Sequence, residues 1–243
     1  MSLEVNDNLV LICGKSAVGK SASLRDLKNP EGVMYLNCES GKKLPFRSKF
    51  MELVVTDPLQ VEEAFEMAET DDMAHVHTIV VDSLNYLMDM YESVYVLNSE
   101  NTMKAWGDYT QYFKRLMQHH VAGSSKNVIF LAHVVDQLNE ADMVLETKVP
   151  AKGAIKNQGV ESYFSCIIAA KKMKLKDLTD ESELLNVTPQ EKALGYKHVF
   201  QTQITEKTVN ERMRGPMGLW EMEETFIDND AQKVLDRLNE YYN

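Results

Sequence analysis

Gly14-Lys15-Ser16-Ala17-Val18-Gly19-Lys20-Ser21 is the stretch whose reading decides the fold. It matches G-x-x-x-x-G-K-[ST], the glycine-rich P-loop that cradles phosphates. Ahead of it, Leu9-Val10-Leu11-Ile12-Cys13 reads as a buried strand, and behind it Ser21-Ala22-Ser23-Leu24-Arg25 opens a helix. Strand, loop and helix together are the context the motif requires. Gly14 and Gly19 let the backbone approach an anion with no Cβ in the way, while loop N–H groups and the helix start point at the phosphates. A chance match in a chain of this length has odds of roughly one in a hundred. The competing reading, a Gly/Ser turn with an exposed lysine, is the weaker one. The expected nucleotide contacts are Gly14, Lys15, Ser16, Ala17, Val18, Gly19, Lys20, Ser21 and Ala22. Lys20 supplies charge to the β- and γ-phosphates of ATP and Ser21 ligates Mg²⁺. Lys15 reads as a solvated loop lysine rather than a second catalytic one.

The 243 residues are 44% hydrophobic and 26% charged, which suits one α/β domain spanning 1–243. No run has the length of a membrane span. Met1 to Asp7 lacks the basic and apolar regions of a signal peptide, so a cytoplasmic location is expected. Cys13, Cys38 and Cys166 are far apart in apolar runs and read as reduced core thiols, not as a disulfide or zinc framework.

The formal net charge is −11, unlike a protein built only to coat nucleic acid. The charge is uneven, however. Asp57 to Asp72 holds seven acids and no bases, whereas Ala151 to Lys176 holds six lysines against one acid, Glu161. A basic segment on an acidic body is compatible with a local anion-binding surface. A solvated lysine-rich turn is the commoner meaning of such a run.

Further strands are expected at Val33 to Asn37, Leu53 to Val55, His77 to Asp82, Asn127 to His133, Tyr163 to Ala170 and Lys197 to Thr205. Helices are expected from Asp57-Pro58 to about Thr70, from Ala105 to His120 and from Asn229 to Tyr241. Apolar strands alternating with helices predict a mostly parallel sheet with helices on both faces. The stripe Trp106, Tyr109, Phe113 and Leu116 reads as core before base-stacking platform. A polar stretch follows His133 to about Glu161, and Leu175 to Leu194 is the candidate mobile insertion.

Asp82 closes Thr78-Ile79-Val80-Val81-Asp82-Ser83, a Walker B-like strand whose acid holds the Mg²⁺ water shell, or else caps the next helix. Glu39 lies just past the second strand, at the carboxyl edge where such sheets place ligands. It is either the base that deprotonates attacking water or a surface glutamate in a turn. His133 ends the strand after Walker B and reads as a γ-phosphate sensor or as a satisfied strand-end histidine.

Gly14–Ser21, Tyr35-Leu36-Asn37-Cys38-Glu39, Ile79-Val80-Val81-Asp82-Ser83 and Val128-Ile129-Phe130-Leu131-Ala132-His133 occur in the order of the RecA-like ATPase core. The chain resembles that core from about Leu9 to Trp220, and is most similar to the minimal phage-encoded RecA-like single-strand annealing recombinases. The resemblance implies a P-loop ATPase in the host cytoplasm, with Glu39 as catalytic glutamate, Asp82 as Walker B acid and His133 at the polar sensor position, often a glutamine in relatives. It implies single-stranded DNA as partner, bound by the loop Asn139 to Val160 through Lys148, Lys152 and Lys156. No aromatic residue lies in that loop; Trp106 and Tyr109 are the candidates for stacking. Arg212-Met213-Arg214-Gly215-Pro216 resembles the basic ending of such cores, where one arginine reaches a neighbour's γ-phosphate. Their i, i+2 spacing puts both on one face of a strand; a plain basic turn is the even alternative. The trans reading implies a homo-oligomer, ring or filament, with ATP at subunit interfaces. A single-strand-binding protein is a further candidate partner, and no membrane is involved. Other function classes remain open: a helicase-type motor, or an accessory module that binds ATP without significant turnover.

Overall fold

The computed structural model describes residues 6–140, 142–178 and 182–242. Its centre is an eight-stranded sheet built from β1 (Leu9–Gly14), β2 (Val33–Asn37), β3 (Met51–Val54), β4 (Thr78–Asp82), β5 (Asn127–His133), β8 (Cys166–Lys174), β9 (Tyr196–Gln201) and β10 (Phe226–Asp228). The order across the sheet is β10-β9-β8-β1-β5-β4-β2-β3. The six strands from β8 to β3 are parallel, while β9 runs antiparallel to both β8 and β10. β5 lies between β1 and β4, so His133, at the end of β5, sits between the P-loop and Asp82.

Strands β1, β2 and β4 are buried along their whole length, which explains why they read as unbroken apolar runs. Side chains still alternate by face. Leu9, Leu11 and Cys13 join one core with Leu36, Phe65, Leu87, Phe113 and Phe130, beneath α1 (Leu59–Ala68), α2 (Leu84–Tyr91) and α3 (Thr102–Arg115). Val10 and Ile12 join the opposite core with Leu24, Tyr35, Phe200 and Leu235, beneath α6 (Ala231–Tyr242). Tyr109 and Phe113 are buried, so the aromatic stripe is core as read, and Tyr109 offers no platform to a base. Trp106 alone of the two stacking candidates keeps partial exposure.

Several expected elements differ. After the P-loop there is no α-helix but one 3-10 turn, Ser21–Leu24. Asn29 in a left-handed conformation and Pro30 cut the segment short before β2, and the Ser23 hydroxyl donates to the Lys20 carbonyl at 2.6 Å. A turn this short lends almost no helix dipole, so an anion must be held by the loop itself. The polar stretch after His133 holds an antiparallel hairpin, β6 (Val135–Asn139) with β7 (Val144–Lys148), and a short helix α4 (Ile155–Gln158). β8 continues through Lys174, so Lys171, Lys172 and Lys174 lie on a strand rather than in a turn. β9 stops at Gln201. Leu175 to Leu194 contains α5 (Pro189–Leu194), closed at its start by a Thr188–Glu191 capping box; residues 179–181 of that stretch lie outside the described residues. Among the described residues no helix is long and apolar enough to cross a membrane.

Candidate functional site

The P-loop folds as a tight cradle whose two glycines are dictated by contact. A Cβ on Gly14 would sit 2.6 Å from the Ala170 carbonyl oxygen and 2.8 Å from Val18 Cγ2. Gly19 has φ +98°, and a Cβ there would meet Asn229 Nδ2 at 2.9 Å and His198 Nδ1 at 3.1 Å. Those two side chains clamp the loop from β9 and from the turn after β10. Asn229 Nδ2 donates to the Gly19 carbonyl at 2.9 Å, and His198 Nδ1 lies 2.8 Å from the Val18 carbonyl.

Lys20 is buried. Its ammonium folds back onto the loop, donating to the carbonyls of Gly14 and Lys15 at 2.9 Å each, and lies 3.2 Å from His133 Nδ1. Burial drags its pKa down to about 8, against the pull of Asp82 and Glu39. Ser21 Oγ donates to Asp82 Oδ2 at 2.8 Å, and Tyr35 OH donates to the same oxygen at 2.8 Å. Burial raises the Asp82 carboxyl above its ordinary value even with those two donors. A half-buried hydroxyl beside a buried carboxylate, both hard oxygen donors, fits Mg²⁺, which keeps most of its shell as water and phosphate. Among the described residues no cluster of three or more His, Cys, Asp or Glu side chains forms a metal cage.

Glu39 and His133 reach the same cleft, of about 300 Å³, that Ser16, Gly19, Lys20, Ser21 and Asp82 line. Glu39 Oε1 stands 3.4 Å from His133 Nε2 and 3.4 Å from Ser83 Oγ, and Oε2 accepts from Lys42 Nζ at 2.6 Å. Burial pushes the Glu39 carboxyl up, but the Lys42 ammonium and His133 outweigh it and hold it below the usual range. Burial and the Lys20 charge depress the His133 imidazole, against Glu39. A neutral ring protonated on Nε2 satisfies both contacts: it accepts from Lys20 and faces Glu39 with its N–H. Asn85 on α2 fixes the His133 backbone, its Oδ1 accepting the His133 N–H at 2.6 Å and its Nδ2 donating to the His133 carbonyl at 3.3 Å. The arrangement offers a cation and a metal seat for phosphate, and a carboxylate beside them that can accept a proton from water.

Lys15 is exposed, as read, yet it is not unpartnered: it pairs with Asp136 on β6 at 2.5 Å. Asp136 also accepts from Thr147 Oγ1 on β7 at 2.8 Å. Lys148, Lys152 and Lys156 are brought together around one hollow of about 450 Å³, with Trp106, Gln137 and Arg212 also on its wall. Their availability differs. Lys152 is held by Asp89 at 2.9 Å and by Glu92, Lys148 lies 3.6 Å from Glu146, and Lys156 is exposed on α4.

Arg212 and Arg214 do not share a strand face. Residues around them make only isolated bridges, Glu211 with Thr147 and Arg214 with Ile167, because Gly215, Pro216 and Gly218 break the ladder. Arg212 pairs with Glu146 at 3.1 Å and Glu161 at 3.7 Å. Arg214 is exposed and lines a separate hollow with Thr202, Pro216 and Trp220. The three cysteines are buried and unbridged, and burial pushes every one of their thiols up, Cys13 and Cys166 to about 12.

Asn85, His198, Asn229, Tyr35 and Lys42 were missed in the sequence. Tyr35 had the one usable signal, a polar-tipped residue in an apolar strand two turns of the pleat before Glu39.

A search of curated proteins finds no match to the chain. A family model described as an AAA domain matches residues 6–209, the segment that carries the P-loop, Glu39, Asp82, His133, Lys148, Lys152 and Lys156. The chain belongs to the AAA domain family, the nucleotide-binding P-loop ATPases.

Proposed function

We propose that the chain is an ATP-hydrolysing protein that binds single-stranded DNA and promotes annealing or strand pairing, with ATP gating its assembly on the strand. In this reading Lys20 holds the β- and γ-phosphates and Ser21 and Asp82 hold Mg²⁺, which neutralises phosphate charge when bound. Glu39 takes the proton of the attacking water, oriented by His133, and hydrolysis releases the DNA.

The observation that carries the DNA half is the hollow where Lys148, Lys152, Lys156 and Arg212 converge beside Trp106. The three lysines track a phosphate backbone and the partly exposed Trp106 indole offers a face for a base to stack on. A hairpin joins this hollow to the ATP cleft at two points. β6 begins two residues after His133, and Lys15 of the P-loop grips Asp136. A change at the γ-phosphate therefore has a short covalent and ionic route to Lys148.

Assembly into a ring or filament supplies an arginine from a neighbour. Arg214 is the better candidate for that role, since Arg212 is committed to Glu146 and Glu161 within its own chain.

The test is the ATPase rate with and without single-stranded DNA. Stimulation is expected, and a flat rate with no DNA binding would leave an ATP-binding accessory module. For the hollow, alanine at Lys148, Lys152 and Lys156 together should flatten the slope of log affinity against log salt by up to about 2, since each single-strand phosphate contact contributes about 0.7. An unaltered slope moves the DNA site elsewhere, with Lys171 to Lys176 next in line.

A further inference from the structure

The cleft holds a second lysine that the nucleotide machinery above does not use. Lys42 lies three residues after Glu39, and the turn between them brings both side chains into the cleft. Ser40 and Gly41 are both left-handed, at φ +55° and +76°, and the Lys42 N–H donates to the Glu39 carbonyl at 3.1 Å. The Lys42 ammonium rests 2.6 Å from Glu39 Oε2. The two partners are unequal: the Glu39 side chain is 7% exposed and the Lys42 side chain 66% exposed. The carboxylate is fixed and the lysine is free to swing.

A continuous run of contacts links the two lysines. Lys20 Nζ lies 3.2 Å from His133 Nδ1, His133 Nε2 lies 3.4 Å from Glu39 Oε1, and Glu39 Oε2 accepts from Lys42. A γ-phosphate held by Lys20 enters this run, beside Glu39. The cations that line the cleft are Lys20, Lys42 and Lys43, and no arginine is among its lining residues. The terminal phosphate, with two negative charges and three acceptor oxygens, outcompetes a single carboxylate for a mobile ammonium.

We propose that Lys42 is a γ-phosphate ligand in cis, exchanging its Glu39 partner for the terminal phosphate when a triphosphate binds. The exchange does two things at once. It places a cation where charge develops during phosphoryl transfer. It also strips the ion pair from Glu39, so the carboxylate meets the attacking water with its proton-accepting oxygen uncovered. With diphosphate bound, Lys42 returns to Glu39 and closes the base. This inference rests on the reading of the cleft as an ATP-hydrolysing site.

The experiment compares the wild type with Lys42→Ala and Lys42→Arg. Affinities for ADP and for AMP-PNP, with Mg²⁺, are measured by calorimetry alongside ATP turnover. Lys42→Ala should bind ADP as the wild type does, which also shows that the cleft is folded. It should bind AMP-PNP about tenfold more weakly and lose on the order of 10²-fold in turnover; Lys42→Arg should recover most of both. Equal losses for ADP and AMP-PNP, or a turnover loss with no loss of AMP-PNP affinity, would overturn the exchange and leave Lys42 as a prop for Glu39. Wild-type behaviour in all three measurements would overturn it outright. If the wild type binds both nucleotides without hydrolysing ATP, the hydrolytic reading fails. The difference between ADP and AMP-PNP in Lys42→Ala then still decides whether Lys42 touches the γ-phosphate.

Discussion

Raising the pH should loosen ATP, because of Lys20. In the free protein its ammonium is buried, and its pKa falls to about 8. A triphosphate brings negative charge to that ammonium and raises its pKa. The bound form therefore takes up a proton wherever the free form has lost one. The sign follows: affinity is insensitive to this group below pH 7, where the ammonium is already present, and falls as pH climbs through 8. With a free pKa near 8 and a much higher bound value, moving from pH 7 to pH 9 costs about tenfold in affinity, with a limiting slope of one decade per pH unit. The shifted neighbours that touch Lys20 or Glu39 move away from this window. Glu39 and His133 are shifted downward and Lys42 upward, burial lifts Tyr35 well above its usual range, and the last phosphate ionisation lies near 6. The assay is titration calorimetry of Mg·ATP at pH 7, 8 and 9, each in two buffers of different ionisation enthalpy, so that proton uptake is read directly. Constant affinity with no proton uptake at pH 9 would refute the reasoning and place the Lys20 ammonium in water.

Three substitutions probe other parts of the site. Glu39→Gln keeps the shape of the carboxylate but accepts no proton, so ATP should still bind while turnover drops on the order of 10²–10⁴-fold; normal turnover would put the base elsewhere. Gly19→Ala meets both a left-handed backbone at φ +98° and Asn229 at 2.9 Å, so it should lower thermal stability by about 1 kcal/mol or more and abolish ATP binding, read by melting with and without nucleotide. An unchanged melting curve would mean that the clamp gives way freely. Asn85→Ala removes two hydrogen bonds to the His133 backbone; turnover should fall with ADP affinity intact, and a turnover equal to wild type would show that His133 needs no such anchor.

The legible parts of the molecule are those in which neighbouring residues carry the signal. β1, β4 and β5 read correctly because strands covered on both faces carry an unbroken apolar run at their centre, residues 9–13, 79–81 and 128–132, which no loop imitates. The P-loop, Glu39, Asp82 and His133, singled out separately along the sequence, meet in one cleft because parallel strands deliver their carboxyl ends to one edge. The hairpin did not read at all. Its first strand, Val135-Asp136-Gln137-Leu138-Asn139, is exposed throughout except at its last residue, so no burial imposes an alternation. The clamps on the P-loop were illegible for another reason. His198 is 180 residues from Val18, and Asn229 is 210 from Gly19. They arrive through the antiparallel pair β9 and β10 added beyond β8, and a lone His or Asn in a sequence carries no mark of that placement. The expected P-loop helix failed because the motif describes the loop, whereas Asn29-Pro30 decides how many residues remain for a helix.

The shortened helix changes how the cleft must work. A long helix behind a P-loop contributes a fixed positive end to phosphate binding. Here one 3-10 turn replaces it, and the burden moves to side chains and to the loop held in shape by His198 and Asn229. Side-chain charge, unlike a helix dipole, can be redistributed. Lys20 without ligand spends its donors on its own loop, Ser21 on Asp82, Lys42 on Glu39 and Lys15 on Asp136. Each of those contacts competes with a phosphate or a metal for the same donor or acceptor. The exposed pairs among them hold by no more than about 1 kcal/mol, so a tetra-anionic ligand with its metal has ample free energy to exchange them. The last of these, Lys15 with Asp136, is also the P-loop's grip on the hairpin that leads to Lys148. In the proposed reading, the same weakness that would let the cleft rearrange around a nucleotide would let the hairpin respond to it, whereas a stronger, fully buried set of ion pairs would bind ATP without transmitting its presence.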